Sequence, residues 1–325
     1  MTPTDEAPQS AGDDPLAPRR LHGRAQVGAE PRAFGQPAED TLRRLALACR
    51  DAAATGEPPA DFLQIHIDRL LGKTFSPEDC ATLVNVQRLA DEGLAVAMSG
   101  RLDGAASRLL RANRALEDGG LAPPARSLGE SLLWAREAES ETRAGRYEWA
   151  AELMEAAFER DLAAEEAGLE LFLAHRIRLA HARMRLDMAR ERFGEALLLG
   201  ASLLHYFERP SEPPCTNLRP SWRQGWRDHR GVIDPALAAD LHRRLAEDQV
   251  AALAALEAKE GAKAAVELRR FSPGGSSQIA GWTQFQIARL EGDEGRRNEA
   301  ARAVLMAGPH PSAPLCGSVA AALLA

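Results

Sequence analysis

Arg178, His181 and Arg185 stand three and four residues apart, which puts two cations and a titratable ring on one face of a helix. Such a stripe suits an acidic peptide, a terminal carboxylate or an anionic ligand. The ordinary alternative is a solvated face neutralised by Glu and Asp. A second concentration follows, where Arg219, Trp222, Arg223, Trp226, Arg227 and Arg230 share one short window. Guanidinium and indole groups are favoured at binding hot spots and can stack on bases. The same tryptophans could equally plug a joint between two packed halves, and the sequence leaves both readings open.

Catalytic chemistry finds little support. His175 and His181 lie six residues apart, about 240° round a helix, so they do not share a metal there. Asp228-His229 beside Arg230 resembles an acid–base pair only on paper, because adjacent residues rarely face each other productively. HExxH, GxSxG, phosphate-loop and dinucleotide fingerprints are all missing from the sequence. Cys49, Cys80, Cys215 and Cys316 form no CxxC pair and read as free thiols of a reducing compartment. No cofactor and no metal is expected.

The chain of 325 residues carries a net charge of −7 and has a pI near 5.7, so no global field draws it to nucleic acid or anionic lipid. The N-terminus has neither a basic nor an apolar leader region, and no apolar run is long enough to span a bilayer. A cytoplasmic protein is expected, and the Ala/Arg-rich composition points to a bacterial one. Aromatics are only 5% and Ala, Leu, Arg and Glu dominate, which favours helices. The predicted class is all-α.

Residues 1–38 are rich in Pro, Gly and mixed charge, and are predicted to be a disordered tail. Helical patterning starts near Asp40 and resumes at Phe62 after Gly56-Glu57-Pro58-Pro59. Ser76-Pro77-Glu78-Asp79 predicts a helix start, with Ser76 as cap, Pro77 at the first position and Asp79 reaching back. Hairpins are expected over about 76–117, 127–160 and 165–208, so that 39–208 is one helical stretch. Pro123-Pro124 is read as the end of the first. The irregular, Pro/Trp/Arg-rich segment 209–234 interrupts the pattern. Asp234-Pro235 restarts it, with hairpins over 236–271, turning at Gly261, and 277–308, within a final helical stretch 235–325.

One register recurs through these hairpins. Gly100 is followed by Ala105 and Ala112, Gly145 by Ala150 and Ala157, and Gly295 by Ala300 and Ala307. Seven residues before each glycine stands Gly93, Ala138 or Ala288. Small residues at those points let two antiparallel helices approach closely, while Leu89 with Leu109, Trp134 with Met154, and Val304 fill the layer. The third hairpin departs, with Glu191 at the turn and Met184 at the small position.

This register resembles the tetratricopeptide repeat, most closely through Trp134, Ala138, Gly145, Tyr147, Ala150, Met154 and Ala157. The step from Gly100 to Gly145 is longer than that family's repeat. The resemblance implies antiparallel hairpins stacked as a right-handed solenoid, with a concave groove lined by first helices. Groove-facing residues would then be Glu139, Arg143, Arg178, His181 and Arg185, with Trp282, Phe285 and Arg289 in the last unit. It implies a non-catalytic adaptor, chaperone or regulator that binds a partner protein or peptide, possibly an acidic one. The competing expectation is a small-ligand receptor or enzyme whose pocket is closed by 209–234. Partner identity and oligomeric state are not legible.

Overall fold

Ser76 and Pro77 begin a helix for the reason their types give. The Ser76 hydroxyl accepts the Asp79 amide at 3.1 Å, and Pro77 stands where a helix needs no donor. Asp79 does not reach back; its carboxylate accepts the Ala122 amide at 3.3 Å instead. This helix is α1 (Pro77–Met98) of a computed structural model that describes residues 44–48, 67, 69, 71–214, 220–270, 277–308 and 313–324. All of these fall within one unit, Ala38–Ala325. The expectations for 1–38, and most of those for 39–70, lie outside the described residues.

The order continues with α2 (Leu102–Asp118), α3 (Pro123–Arg143), α4 (Tyr147–Glu166), α5 (Phe172–Ala189) and α6 (Phe193–Glu208). After an irregular stretch come α7 (Pro235–Glu260), α8 (Ala264–Arg270), α9 (Gln278–Glu291), α10 (Glu294–Met306) and α11 (Ala313–Leu324). There is no strand among the described residues, and the protein is all-α. Neighbours pack in pairs: α1 on α2, α3 on α4, α6 on α7, and α9 on α10. First helices also meet directly, since α1 lies against α3.

Three of the connections are one turn used again. Gly100, Gly145 and Glu191 have φ of +80°, +75° and +56°. The residue after each donates its amide five residues back: Arg101 to Val96 at 3.2 Å, Arg146 to Glu141 at 3.0 Å, and Arg192 to Asp187 at 2.8 Å. That pair of features is a Schellman turn, which satisfies carbonyls the helix end would otherwise strand. A left-handed residue with a Cβ costs about 1–2 kcal/mol. Glu191 accepts that position while its carboxylate sits 2.9 Å from Lys259 Nζ on α7.

The close approach between paired helices is built from complementary sizes. A Cβ on Gly93 would stand 3.0 Å from Leu109, so α1 supplies the notch and α2 the bulk. The second hairpin follows with Ala138 and Met154, both buried, at the same register. In the third the roles reverse. Met184 on α5 provides the bulk, and a Cβ on Gly200 of α6 would lie 2.8 Å from its terminal methyl. The departure at Met184 is thus compensated on the facing helix, and the tight packing survives.

Two boundaries differ from expectation. Pro123-Pro124 opens α3 rather than ending the previous unit, because proline suits a helix's first turn. In the last pair the left-handed turn is Gly292 (φ +73°), not Gly295. Asp293 caps α10 by accepting the Arg296 amide at 3.0 Å, which places Gly295 inside the helix. The register shifts with it: Ala300 is half-buried while Ala301 is fully buried, and the tight spot is Gly281, where an added Cβ would stand 3.2 Å from Val304. Over 236–270 a single long helix, α7, runs to Glu260, and only the short α8 follows the Gly261 turn.

Candidate functional site

Helix α5 is where the polar residues converge. Phe172, Leu173, Ala174, Ile177, Leu179, Ala180, Met184 and Leu186 bury it on every side, so it has no single wet face. His175, Arg176 and His181 are buried with them, and each is met by a carboxylate from another element.

His175 belongs to a three-residue network. Fully buried Ser131 of α3 donates from Oγ to Asp161 Oδ1 at 2.5 Å. His175 Nδ1 lies 2.8 Å from Asp161 Oδ2 and 3.2 Å from Ser131 Oγ. An ionised carboxylate only accepts, so Nδ1 carries a proton and Nε2 is left as the ring's other hydrogen-bonding atom. Despite its residue types this is not a nucleophile and base, because the serine proton is directed to the carboxylate and the hydroxyl is sealed.

The ring lines a recess formed by Gln87 of α1, Leu132 and Arg136 of α3, His175 and Arg178 of α5, and Ile67. It encloses about 270 Å³, open solvent at the mouth included. Most of that is open solvent, and the walled space has room for about one water molecule. Arg136 commits its Nε to Asp91 at 2.7 Å and is otherwise half-buried at the rim.

The Arg178–His181–Arg185 stripe divides. Arg178 faces the recess, whereas His181 and Arg185 are gathered by one carboxylate on α7. His181 Nε2 lies 2.7 Å from Asp248 Oδ2, and Arg185 Nε donates to the same oxygen at 2.6 Å. Burial pushes the His181 pKa down, against the pull of Asp248. Burial alone would raise Asp248, but the hydrogen bonds from His181 and Arg185 outweigh it and bring its pKa to about 2. Two of the three residues in the stripe read from spacing therefore share the Asp248 carboxylate, and Arg178 is engaged separately from them.

The described part of 209–234 around Trp222 and Trp226 is packed into the protein. Trp222 is buried and stacks on Phe158 at 4.4 Å, with planes 7° apart. Arg176, with no exposed surface, donates to Glu165 Oε1 at 2.5 Å and to the Gln224 and Gly225 carbonyls at 3.0 and 2.6 Å. Its guanidinium also lies 5.0 Å from the Trp226 ring and 5.1 Å from Phe158. Trp226 Nε1 donates to the Trp222 carbonyl at 2.5 Å, and the Tyr206 hydroxyl to the Arg227 carbonyl at 2.5 Å. Burial pushes that hydroxyl's pKa up, which keeps it protonated as a donor. Arg227 completes the cluster with Glu170 at 3.2 Å and Glu165 at 3.4 Å.

Of the other expected surface residues, Trp282 is fully buried and donates to Ser318 Oγ of α11 at 2.8 Å. Phe285 is likewise core. Both fail as groove residues because α9 is covered by α10 and α11. Arg289, half-buried, pairs with Glu257 of α7. Arg143 and Arg223 are exposed, Glu139 is half-buried, and Arg219 lies outside the described residues. Among the described residues no cluster of His, Cys, Asp or Glu could hold a metal, and no helix is long and apolar enough to cross a membrane.

Spacing on one helix brings out Arg178 but not Arg136, which lines the recess from α3, nor Ser131 and Asp161, which hold the His175 ring from α3 and α4. The signal that could have found them is α5 itself, where polar residues sit among apolar ones on all faces and must have buried partners. Comparison with protein-family models, with characterised proteins and with solved structures finds no match to this chain.

Proposed function

We propose that this chain is a non-catalytic, TPR-like helical-repeat protein whose first helices receive an acidic segment of a partner protein. The supporting observation is the recess where α1, α3 and α5 meet, since each of these helices brings polar side chains to it: Gln87 from α1, Arg136 from α3, and His175 and Arg178 from α5. In a stack of hairpins that face is the concave one, and side chains of several repeats then act on one ligand. A cytoplasmic adaptor, chaperone or regulator fits this reading. The alternative in which 209–234 closes over a ligand pocket is less well supported, because Trp222 and Arg176 fill the space beneath that segment.

The test is a panel of Asp/Glu-rich and neutral peptides measured by fluorescence polarisation against the wild type and Arg178→Gln. Acidic peptides should bind preferentially, and the substitution should weaken them several-fold in a protein whose helical circular dichroism shows it still folded. Equal binding of acidic and neutral peptides, or no effect of the substitution, would reject the proposal. Reversing Arg185 is a poor test, since a new carboxylate there would face Asp248.

A further inference from the structure

We infer that the chain forms a two-fold dimer, in which the basic outer face of α2 on one copy meets the acidic outer face of α4 on the other, and the reverse. The inference is independent of the acidic-segment reading, because no residue of the recess takes part.

Charge is divided unevenly between these two helices. On α2, Arg108, Arg111 and Arg114 follow at a spacing of three, which makes them neighbours on the helix surface. Arg108 donates to the Gly104 carbonyl at 3.1 Å, and Arg111 and Arg114, both exposed, meet no carboxylate among the described residues. Arginines on other helices are paired, as Arg126 is with Glu130 at 3.0 Å and Arg244 with Asp240 at 2.8 Å. Like charges in a row cost a lone helix stability, and here no nearby anion offsets that cost. The acids of α2, Asp103, Glu117 and Asp118, stand at its ends, outside the row.

Helix α4 is the converse. Trp149, Glu152, Ala156, Glu159, Ala163 and Glu166 alternate in steps of three and four and share one stripe. Its three glutamates are exposed and have no cation partner among the described residues. The cations nearby are turned elsewhere: Arg160 to Glu130 of α3 at 2.7 Å, and Arg190 of α5 onto Glu148. Each face also carries one large apolar side chain, Leu110 at 52% and Trp149 at 48% exposed. An indole is among the side chains most favoured as an interface anchor.

A second copy of this chain is the partner that matches both faces at once. With a net charge of −7, two copies repel each other in general, so a contact between them has to use a locally basic face. The arginine row spans about 9 Å along α2 and the step from Glu152 to Glu159 about 10 Å along α4, so the charges come into register. Both helices lie against α3. Helices α1 and α3 run parallel, with Leu83 beside Gly129 and Asp91 on Arg136, so their hairpin partners α2 and α4 also point the same way. A two-fold axis between them reverses one copy, sets α2 antiparallel to α4 of the other, and closes both contacts together.

Sedimentation velocity of the full chain from about 1 to about 100 μM tests this. The wild type should pass from monomer to dimer as concentration rises, go no further, and dissociate more readily in high salt. Arg111→Glu with Arg114→Glu should weaken the dimer by about a hundredfold or more, because each reversal acts twice in a two-fold pair. Glu152→Arg with Glu159→Arg should do the same. Mixed in equal amounts, the two double variants should reassociate as a heterodimer, since each reversed face then meets its complement. All four positions are exposed, so circular dichroism should show both variants folded.

Rescue by mixing sustains the inference. A wild type that stays monomeric overturns it, including one that instead holds anionic vesicles or RNA through Arg111 and Arg114. A dimer indifferent to both double variants, or dissociated variants that fail to reassociate when mixed, overturns the pairing of α2 with α4. Growth into species larger than a dimer overturns the closed two-fold arrangement.

Discussion

Replacing Gly200 by alanine tests whether helix α6 is fitted against its neighbours as closely as the geometry says. The added Cβ would stand 2.1 Å from Gln249 Oε1, 2.8 Å from the Met184 methyl and 2.9 Å from its sulfur. Met184 is flexible, but it is fully buried and has little space to retreat into. Gln249 is 1% exposed, and its amide nitrogen donates to the Leu197 carbonyl at 3.1 Å, so moving the oxygen disturbs that bond too. Overpacking of this kind costs about 1–3 kcal/mol, and losing the buried hydrogen bond about 1 kcal/mol more. Alanine's helix propensity returns about 1 kcal/mol. The expected net loss is about 1–3 kcal/mol, read as a lower urea midpoint at an unchanged slope.

A Gln249→Ala background should shrink that loss, because the nearest obstacle is gone. Gly295→Ala is the control: its Cβ would meet nothing closer than 3.6 Å in an exposed first turn, so it should be neutral or mildly stabilising. A Gly200→Ala protein as stable as the wild type would refute the claimed exchange of small and large residues between α5 and α6.

Two further outcomes follow from the buried charges. Arg176→Met should destabilise by about 3–5 kcal/mol, since it strands Glu165 and frees the loop carbonyls; adding Glu165→Gln should recover part of this, and a loss below about 1 kcal/mol in urea unfolding would contradict the plug. Asp248 has a folded pKa of about 2 against a usual value of 3.8, so it binds protons less readily when folded and its stabilisation is present above about pH 4 and lost as pH falls toward 2. Asp248→Asn should therefore flatten the acid side of the stability–pH curve by about 2 kcal/mol, and an unchanged acid limb in pH-dependent unfolding would show that His181 and Arg185 do not hold it.

Local rules were legible and distant ones were not. Ser76-Pro77, Gly100 and Gly145 each act within a few residues, so their caps and turns could be read directly. Gly292 and Gly295 competed for one turn, and the choice was made by the Asp293 cap, a feature the alanine register does not contain. Met184 looked like a defect until Gly200 was seen opposite it. The recess is harder still. Ser131, Asp161 and His175 come from three helices, and only packing brings them within hydrogen-bonding reach. The charge of the stripe was likewise set by Asp248, 63 residues beyond Arg185.

The reversed notch in the third hairpin makes its helices keyed parts. A hybrid pairing α3 with α6 would face Ala138 with Gly200 and leave a void, while α5 with α4 would force Met184 onto Met154. The modules of this protein can therefore be duplicated or transplanted only as matched couples, and any lineage that swapped single helices would have had to change both sides of the lock together.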